Sequence, residues 1–387
     1  MSLARPWSRS LQAALTLLTL SAPLPAQHRR PACPEGQHES GRHHCCGPGE
    51  AWVDERNACV CLDCNGCPPP GSTAPGTPAA PPPPPPPPQC LEGMVYIPGG
   101  LLNMGSSPGE GDANEGPQHR VILTPYCIDR TEVTIGQYHA CVNAGTCTPA
   151  GTQVTMRSLP ASEASFWSTF CNGARTDRDT HPINCVDWSQ AQALCQSRGG
   201  RLPTEAEWEF TARGADGRRA PWGGTPPAAN LLNACGAECP SIGERPNRAR
   251  WAVMFDRTDG YDTTAPVGSY LQGASPFGVQ DLIGNVLEWT GDWFGPYTAT
   301  PSPVANPTGP ATGTQRVARG GVHWQSSNAQ QARSTVRLPG DPTWRLATLG
   351  FRCAAAPGST PPAPSAAAPT APPAAPAAPA PTVAPGR

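Results

Sequence analysis

Eight consecutive prolines at residues 81–88 decide where this chain can build a core. Each proline fixes its own φ and removes an amide donor, so the run favours extended polyproline II and acts as a semi-rigid spacer. With its flanks it makes residues 68–89 a linker. Residues 356–387 are alanine- and proline-rich, with almost no charge and no aromatic ring, and cannot form a packed core. That leaves residues 90–355 as the only sizeable globular domain; they hold nearly all the tryptophans, and their length suits a single core. No internal repeat is visible.

The chain opens like a secretory signal over residues 1–26. Arg5 and Arg9 form a basic start, residues 11–20 an apolar stretch, and Ala22 or Ala26 a small residue for cleavage. An apolar stretch of about ten residues is too short to span a bilayer, which sets the competing reading, an uncleaved anchor, behind cleavage. Cys33 follows Arg-Arg-Pro-Ala, so no lipobox ends the stretch. The mature protein is expected to be secreted or periplasmic, in the cell envelope, with no membrane span after cleavage. Seventeen cysteines suit an oxidising compartment. The chain has no lysine and uses arginine throughout, which with its alanine and proline bias points to a high-GC bacterial genome. A net charge of −2 without a basic stripe argues against nucleic acid as a partner.

Residues 27–67 form a cysteine-rich segment carrying Cys33, Cys45, Cys46, Cys59, Cys61, Cys64 and Cys67. So short a piece cannot bury a self-sufficient core and needs staples. Disulfides are the expected staples. The alternative is zinc, because Cys61, Cys64 and Cys67 have Cys-x-x-Cys spacing and His43 or His44 offers a nitrogen.

In the large domain the helices are few. Thr134 with Gln137 predicts a capped helix with Tyr138 and Cys141 on one face, ending at Gly145. Ser189 is expected to cap a second, with Ala191, Leu194 and Cys195 apolar, and Thr204 with Glu207 a third that carries Trp208 and closes at Gly214. The rest reads as short strands and Gly/Pro/Asn loops, an α+β composition with little regular secondary structure.

Seven motifs follow one another along this domain: Gly-Gly-Leu-Leu-Asn-Met-Gly (99–105), Asp-Arg-Thr-Glu-Val-Thr (129–134), His-Pro-Ile-Asn-Cys-Val-Asp-Trp (181–188), Arg-Leu-Pro-Thr-Glu-Ala-Glu-Trp-Glu (201–209), Gly-Asn-Val-Leu-Glu-Trp (284–289), Arg-Gly-Gly (319–321) and Gly-Phe-Arg-Cys (350–353). In that order they resemble the formylglycine-generating enzyme, or sulfatase-modifying factor, family. The resemblance implies a compact domain of complex C-type-lectin-like fold. It also implies an oxidase in which a Gly-Gly-Ser-aromatic turn leads into two cysteines five positions apart. Those cysteines bind Cu(I) and, with O2, convert a sulfatase cysteine within Cys-x-Pro-x-Arg to formylglycine.

Here the pattern departs from the family. The turn is Gly320-Gly321-Val322-His323-Trp324, which places Val322 at the serine position and Gln325 and Gln330 at the two cysteine positions. Thiolates suit Cu(I); a neutral amide is a poor ligand with no redox chemistry. The expectation is a scaffold that has lost the oxidase and does not bind copper. Cys235 and Cys239 are disfavoured as stand-ins. The groove over residues 320–328 is then a candidate site for a protein, peptide or glycan, with His323, Trp324, Gln325, Asn328 and Trp344 as contacts. The alternative remains the formylglycine-generating oxidase itself.

The resemblance also implies structural Ca2+. One site falls on the side chains of Asp281 and Glu288 with the carbonyls of Gly284 and Val286, a hard, oxygen-only set. A second falls on the side chains of Asn230 and Asp259 with the carbonyls of Leu231 and Tyr261. The resemblance pairs Cys195 with Cys353; Cys141–Cys147 and Cys235–Cys239 are suggested by proximity alone. Trp188, Trp208, Trp289 and Trp293 are expected in the core, and Arg333 and Arg337 in buried ion pairs.

Overall fold

The computed structural model describes residues 89–244 and 250–362, and before them the backbone of four short strands. Those strands, β1 (His38–Ser40), β2 (His44–Cys46), β3 (Glu50–Val53) and β4 (Ala58–Cys61), form two antiparallel pairs, β1 with β2 and β3 with β4. The signal peptide, the disulfide or zinc pairing of residues 33–67, the proline run and the bulk of the tail lie outside the described residues.

The large domain has ten short strands and five helices among the described residues. The strands are β5 (Met94–Ile97), β6 (Gly100–Met104), β7 (His119–Leu123), β8 (Tyr126–Asp129), β9 (Leu287–Trp293), β10 (Val304–Ala305), β11 (Arg316–Arg319), β12 (Leu338–Gly340), β13 (Leu349–Phe351) and β14 (Ala354–Ala355). The helices are α1 (Ile135–Asn143), α2 (Ala161–Ser168), α3 (Trp188–Ser197), α4 (Glu205–Arg213) and α5 (Cys239–Ile242). Three sheets result, ordered β10-β7-β6, β12-β11-β9-β13 and β14-β8-β5. β9 holds the centre of the largest, with β11 antiparallel on one side and β13 parallel on the other. The domain's two ends meet, because β5 and β14 flank β8 and the Gly358 amide donates to the Gln89 carbonyl at 2.8 Å.

Capping chemistry sets the three main helices. Thr134 and Gln137 close a reciprocal box at α1, and Thr204 and Glu207 another at α4, as the spacing predicts. At α3 the expectation is corrected. Asp187, two residues before Ser189, is the cap, and it closes the box with Gln190. A carboxylate facing the helix N-terminus also gains from the macrodipole, so Asp187 prevails and Ser189 is left exposed inside the helix.

α4 is buried along its whole length despite the sequence Glu-Ala-Glu-Trp-Glu. It tolerates this because each glutamate has a guanidinium. Glu205 takes Arg337 at 2.7 Å, Glu207 takes Arg201 at 2.6 Å, and Glu209 takes both Arg319 at 2.6 Å and Arg213 at 2.7 Å. Removing one partner of such a buried pair strands a charge, at about 3–5 kcal/mol. Arg333 pairs with the buried Glu115 in the same way. Trp208 and Trp289 are fully buried as expected. Trp188 and Trp293 are not; they are half-buried and sandwich the Arg316 guanidinium at 3.7 and 3.5 Å from their ring centroids. Such cation–π stacking suits a wet edge better than a dry core.

Five disulfides bind the domain: Cys90–Cys127, Cys141–Cys147, Cys171–Cys185, Cys195–Cys353 and Cys235–Cys239. Cys195 on α3 and Cys353 between β13 and β14 are 158 residues apart, so that bridge ties the end of the domain to its middle.

Candidate functional site

The turn after β11 is built by two glycines with positive φ, Gly320 at 111° and Gly321 at 68°. A Cβ on Gly321 would collide with the Gln331 carbonyl, so the chain passes there only as glycine. Val322 is fully buried against Leu232, Ala234 and Ile283, an apolar contact where the resemblance implies a hydroxyl. The Trp324 amide donates to the Asn285 carbonyl at 2.9 Å, the Ser326 amide to His323 at 2.8 Å, and the Cys235 amide to Ser326 at 3.0 Å. The turn is therefore pinned from both sides.

Trp324 is corrected. It is 1 % exposed, not a surface contact, because Trp167, Phe170 and Trp251 enclose its ring and its Nε1 donates to the Ala347 carbonyl at 3.2 Å. Trp167 and Trp251 stack nearly parallel, 5.4 Å apart at an interplanar angle of 6°. Trp344 is half-buried against the core, while Asn328 is exposed and caps a short 3-10 turn through the Gln330 amide at 3.0 Å.

His323 and Gln325 border a cavity of about 170 Å³ together with Val154, Met156, Leu159, Trp167 and Leu346. His323 is pushed down to about 4 by burial, so its ring is neutral at physiological pH. Nδ1 accepts the Gln325 amide at 3.3 Å, which leaves the proton on Nε2 as a donor. Gln330 is exposed and its Oε1 accepts from Arg219 at 3.3 Å.

These residues do not fit a copper site. Two carboxamides replace the soft ligands, and all ten cysteines among residues 89–362 are already joined in the five disulfides. No step through copper is derived.

The residues around Asp281 do fit a hard cation. Asp281 at φ 56°, Gly284 at 100° and Asn285 at 57° coil residues 281–286 into a tight left-handed loop. Three carboxyl groups gather beside it, Asp281, Glu288 and Glu132, all buried, against one guanidinium, Arg352. Burial and then the Asp281 charge push Glu132 well above the usual carboxylate range, and burial pushes Asp281 up to about 6. Glu132 Oε1 has no hydrogen-bond partner, an orphaned buried oxygen of the kind a cation satisfies. Glu132 escaped the sequence reading; its only signal was an acidic residue set among the apolar positions of the 129–134 motif.

The second set is brought together only in part. Asp259 accepts the amides of Ala234 at 2.8 Å and Tyr261 at 3.1 Å. Asn230 lies exposed, with its amide donating to Gln272 at 2.5 Å.

Comparison with known proteins agrees with this geometry. Residues 80–357 match the sulfatase-modifying factor enzyme 1-like domain. The chain is similar to a formylglycine-generating enzyme of Streptomyces coelicolor, 36% identical over 292 residues that cover 68% of this chain and 88% of that protein. It is also similar to the inactive C-alpha-formylglycine-generating enzyme 2 of Bos taurus, 30% identical over 304 residues covering 69% and 89%. The solved structure of PvdO from Pseudomonas aeruginosa superposes with a TM-score of 0.53 at 26% identity, over 68% of this chain and 94% of that one.

Proposed function

This chain belongs to the sulfatase-modifying factor enzyme 1-like family, and we propose that it is an exported member that has kept the domain and given up the oxidase. The observation that carries this is the state of its sulfurs. The family's cysteine positions hold Gln325 and Gln330, and the ten cysteines of the domain are all bonded to one another. Copper-dependent oxidation of a substrate thiol then has neither its metal ligands nor a thiolate to begin from.

What remains at the turn is a recognition site. The cavity is smaller than the roughly 300 Å³ of a drug-sized pocket, apolar on its walls, with the His323 donor and the Gln325 amide at its rim. It suits one side chain of a protein or peptide, or one face of a glycan ring. Ca2+ serves the scaffold in this reading. Asp281, Glu132 and Glu288 with the carbonyls of Gly284 and Val286 hold one ion, and Asp259 with the carbonyls of Leu231 and Tyr261 the other. The ion supplies positive charge to carboxylates that burial otherwise penalises. Export fits five disulfides, and among the described residues no helix is long and apolar enough to cross a membrane.

The second reading is the oxidase, favoured by relatives that carry the enzyme's name. One experiment separates the two. Purified protein, loaded with Cu(I) and supplied with O2, is incubated with a Cys-x-Pro-x-Arg peptide and the product is weighed by mass spectrometry. The expected result is unmodified peptide; formylglycine above the blank overturns the proposal.

A further inference from the structure

Between Asn233 and Asp259 the chain runs out into a loop closed at its root by the Cys235–Cys239 disulfide. The loop is stitched down at both ends. The Met254 amide donates to the Cys235 carbonyl at 2.7 Å, and the Ala237 amide to the Arg257 carbonyl at 3.0 Å. Glu238 sits inside the disulfide ring. Both of its carboxylate oxygens are sealed from solvent and neither meets a donor. They press on the Cα of Gly236, where any Cβ would collide with them, and they face the Asp259 carboxyl.

A folded protein has no electrostatic reason to aim an unpaired buried carboxylate at another carboxylate. Like charges at contact repel, and both lose hydration. Such a pair persists where a cation or a proton lies between its members. Asp259 already spends one lone pair of each oxygen on the amides of Ala234 and Tyr261, which orients it and leaves one lone pair per oxygen. Glu238 spends none. The set is all oxygen with two formal charges, the donor type of Ca2+ rather than of Zn2+ or copper.

We propose that Glu238, carried by the disulfide-closed 235–239 loop, is a ligand of the calcium ion held by Asp259, in place of the exposed Asn230. This rests on the calcium reading above but names a residue and a covalent restraint outside it. The disulfide has a definite part. It holds Glu238 against Asp259, so opening the ring weakens the site without touching a ligand. Ca2+ affinity tracks the number of charged ligands and the rigidity of the site, and Glu238 contributes to both.

The test is isothermal titration of the chelator-stripped full chain with Ca2+, paired with melting curves in EDTA. Parent protein is expected to bind at two sites. Glu238→Gln should weaken one of them at least tenfold, while its melting temperature in EDTA stays level or rises, because a neutral amide can donate to Asp259. Asp259→Asn should weaken the same site and Asp281→Asn only the other. The Cys235→Ser/Cys239→Ser double variant, which keeps every ligand, should weaken the Glu238 site as well. If Glu238→Gln binds Ca2+ as the parent does while Asp259→Asn loses a site, Glu238 is no ligand and the proposal is overturned with the calcium reading intact. If Ca2+ binding is indifferent to both Asp259→Asn and Asp281→Asn, the calcium reading and the proposal fall together. A Glu238→Gln protein that melts lower in EDTA with unchanged Ca2+ affinity assigns Glu238 a structural role and also overturns the proposal.

Discussion

Arg352 grips Glu288 with two parallel hydrogen bonds in the dry interior, Nη2 to Oε1 at 2.6 Å and Nε to Oε2 at 2.7 Å, both side chains fully buried. Trp208 Nε1 adds a second donor to Oε2 at 2.8 Å, so that oxygen is saturated and only Oε1 keeps a lone pair for a cation. Arg352→Met is expected to cost about 3–5 kcal/mol, because it abandons a carboxylate that has no access to water. Urea denaturation reads this directly. A loss under about 1 kcal/mol, the range of an exposed pair, contradicts the assignment.

Stripping Ca2+ is expected to lower the melting temperature and restoring it to recover the loss. At a hundredfold excess over Kd a ligand bound only by the folded state adds about 2.7 kcal/mol. Glu132→Gln and Asp281→Asn should each blunt the response and, by relieving carboxylate repulsion, should not destabilise the stripped protein. Equal responses in parent and both variants reject the site around residues 281–288.

Asp292 gives the domain a pH dependence of known sign. Burial first, then the neighbouring Glu205 charge, pushes its carboxyl up to about 8. Between about pH 4 and 8 the folded state therefore holds a proton that the unfolded chain has lost. Stability falls as pH rises through that window, by at most about 1.4 kcal/mol per unit from this group. Asp292→Asn should flatten the dependence between pH 5 and 8 in chemical denaturation. An unchanged slope rejects the assignment.

Replacing Cys195 and Cys353 together by alanine frees a loop of 158 residues in the unfolded chain. The chain-entropy model sets the cost at about 5 kcal/mol. The small ring of Cys141 and Cys147, with a separation of 6, should cost clearly less when opened. Comparing the two double variants by urea titration checks the ordering.

Writing thiols back in with Gln325→Cys and Gln330→Cys is expected not to restore oxidation. Val322 stays fully buried at the serine position, and Trp324 is packed under three other rings. Formylglycine produced by the double variant shows that the groove retained everything but its ligands.

The sequence carried the parts of the fold that local chemistry fixes. Two helix starts were legible because a threonine cap and its glutamine or glutamate three residues on form a self-contained signal. α3 was displaced because Asp187 competes for the same role as Ser189. α2 was missed because Pro160 precedes it without a side-chain cap and the helix buries no residue. The site was legible where its residues share one short motif, as Asp281 and Glu288 do. Glu132 and Glu238 were not, since a lone glutamate gives no hint of its burial until distant segments close over it. Trp324 failed for the same reason: its enclosure comes from residues 167, 170 and 251, far away along the chain.

The hydrogen bond between Gln89 and Gly358 has a consequence for engineering. A domain whose first and last residues touch enters and leaves through a single doorway. It can be set into a surface loop of a host protein without prising the host apart, or its ends can be joined and new termini opened elsewhere, for instance at the exposed 298–303 segment. The covalent belt of five disulfides would travel with it, so the graft would arrive already fastened.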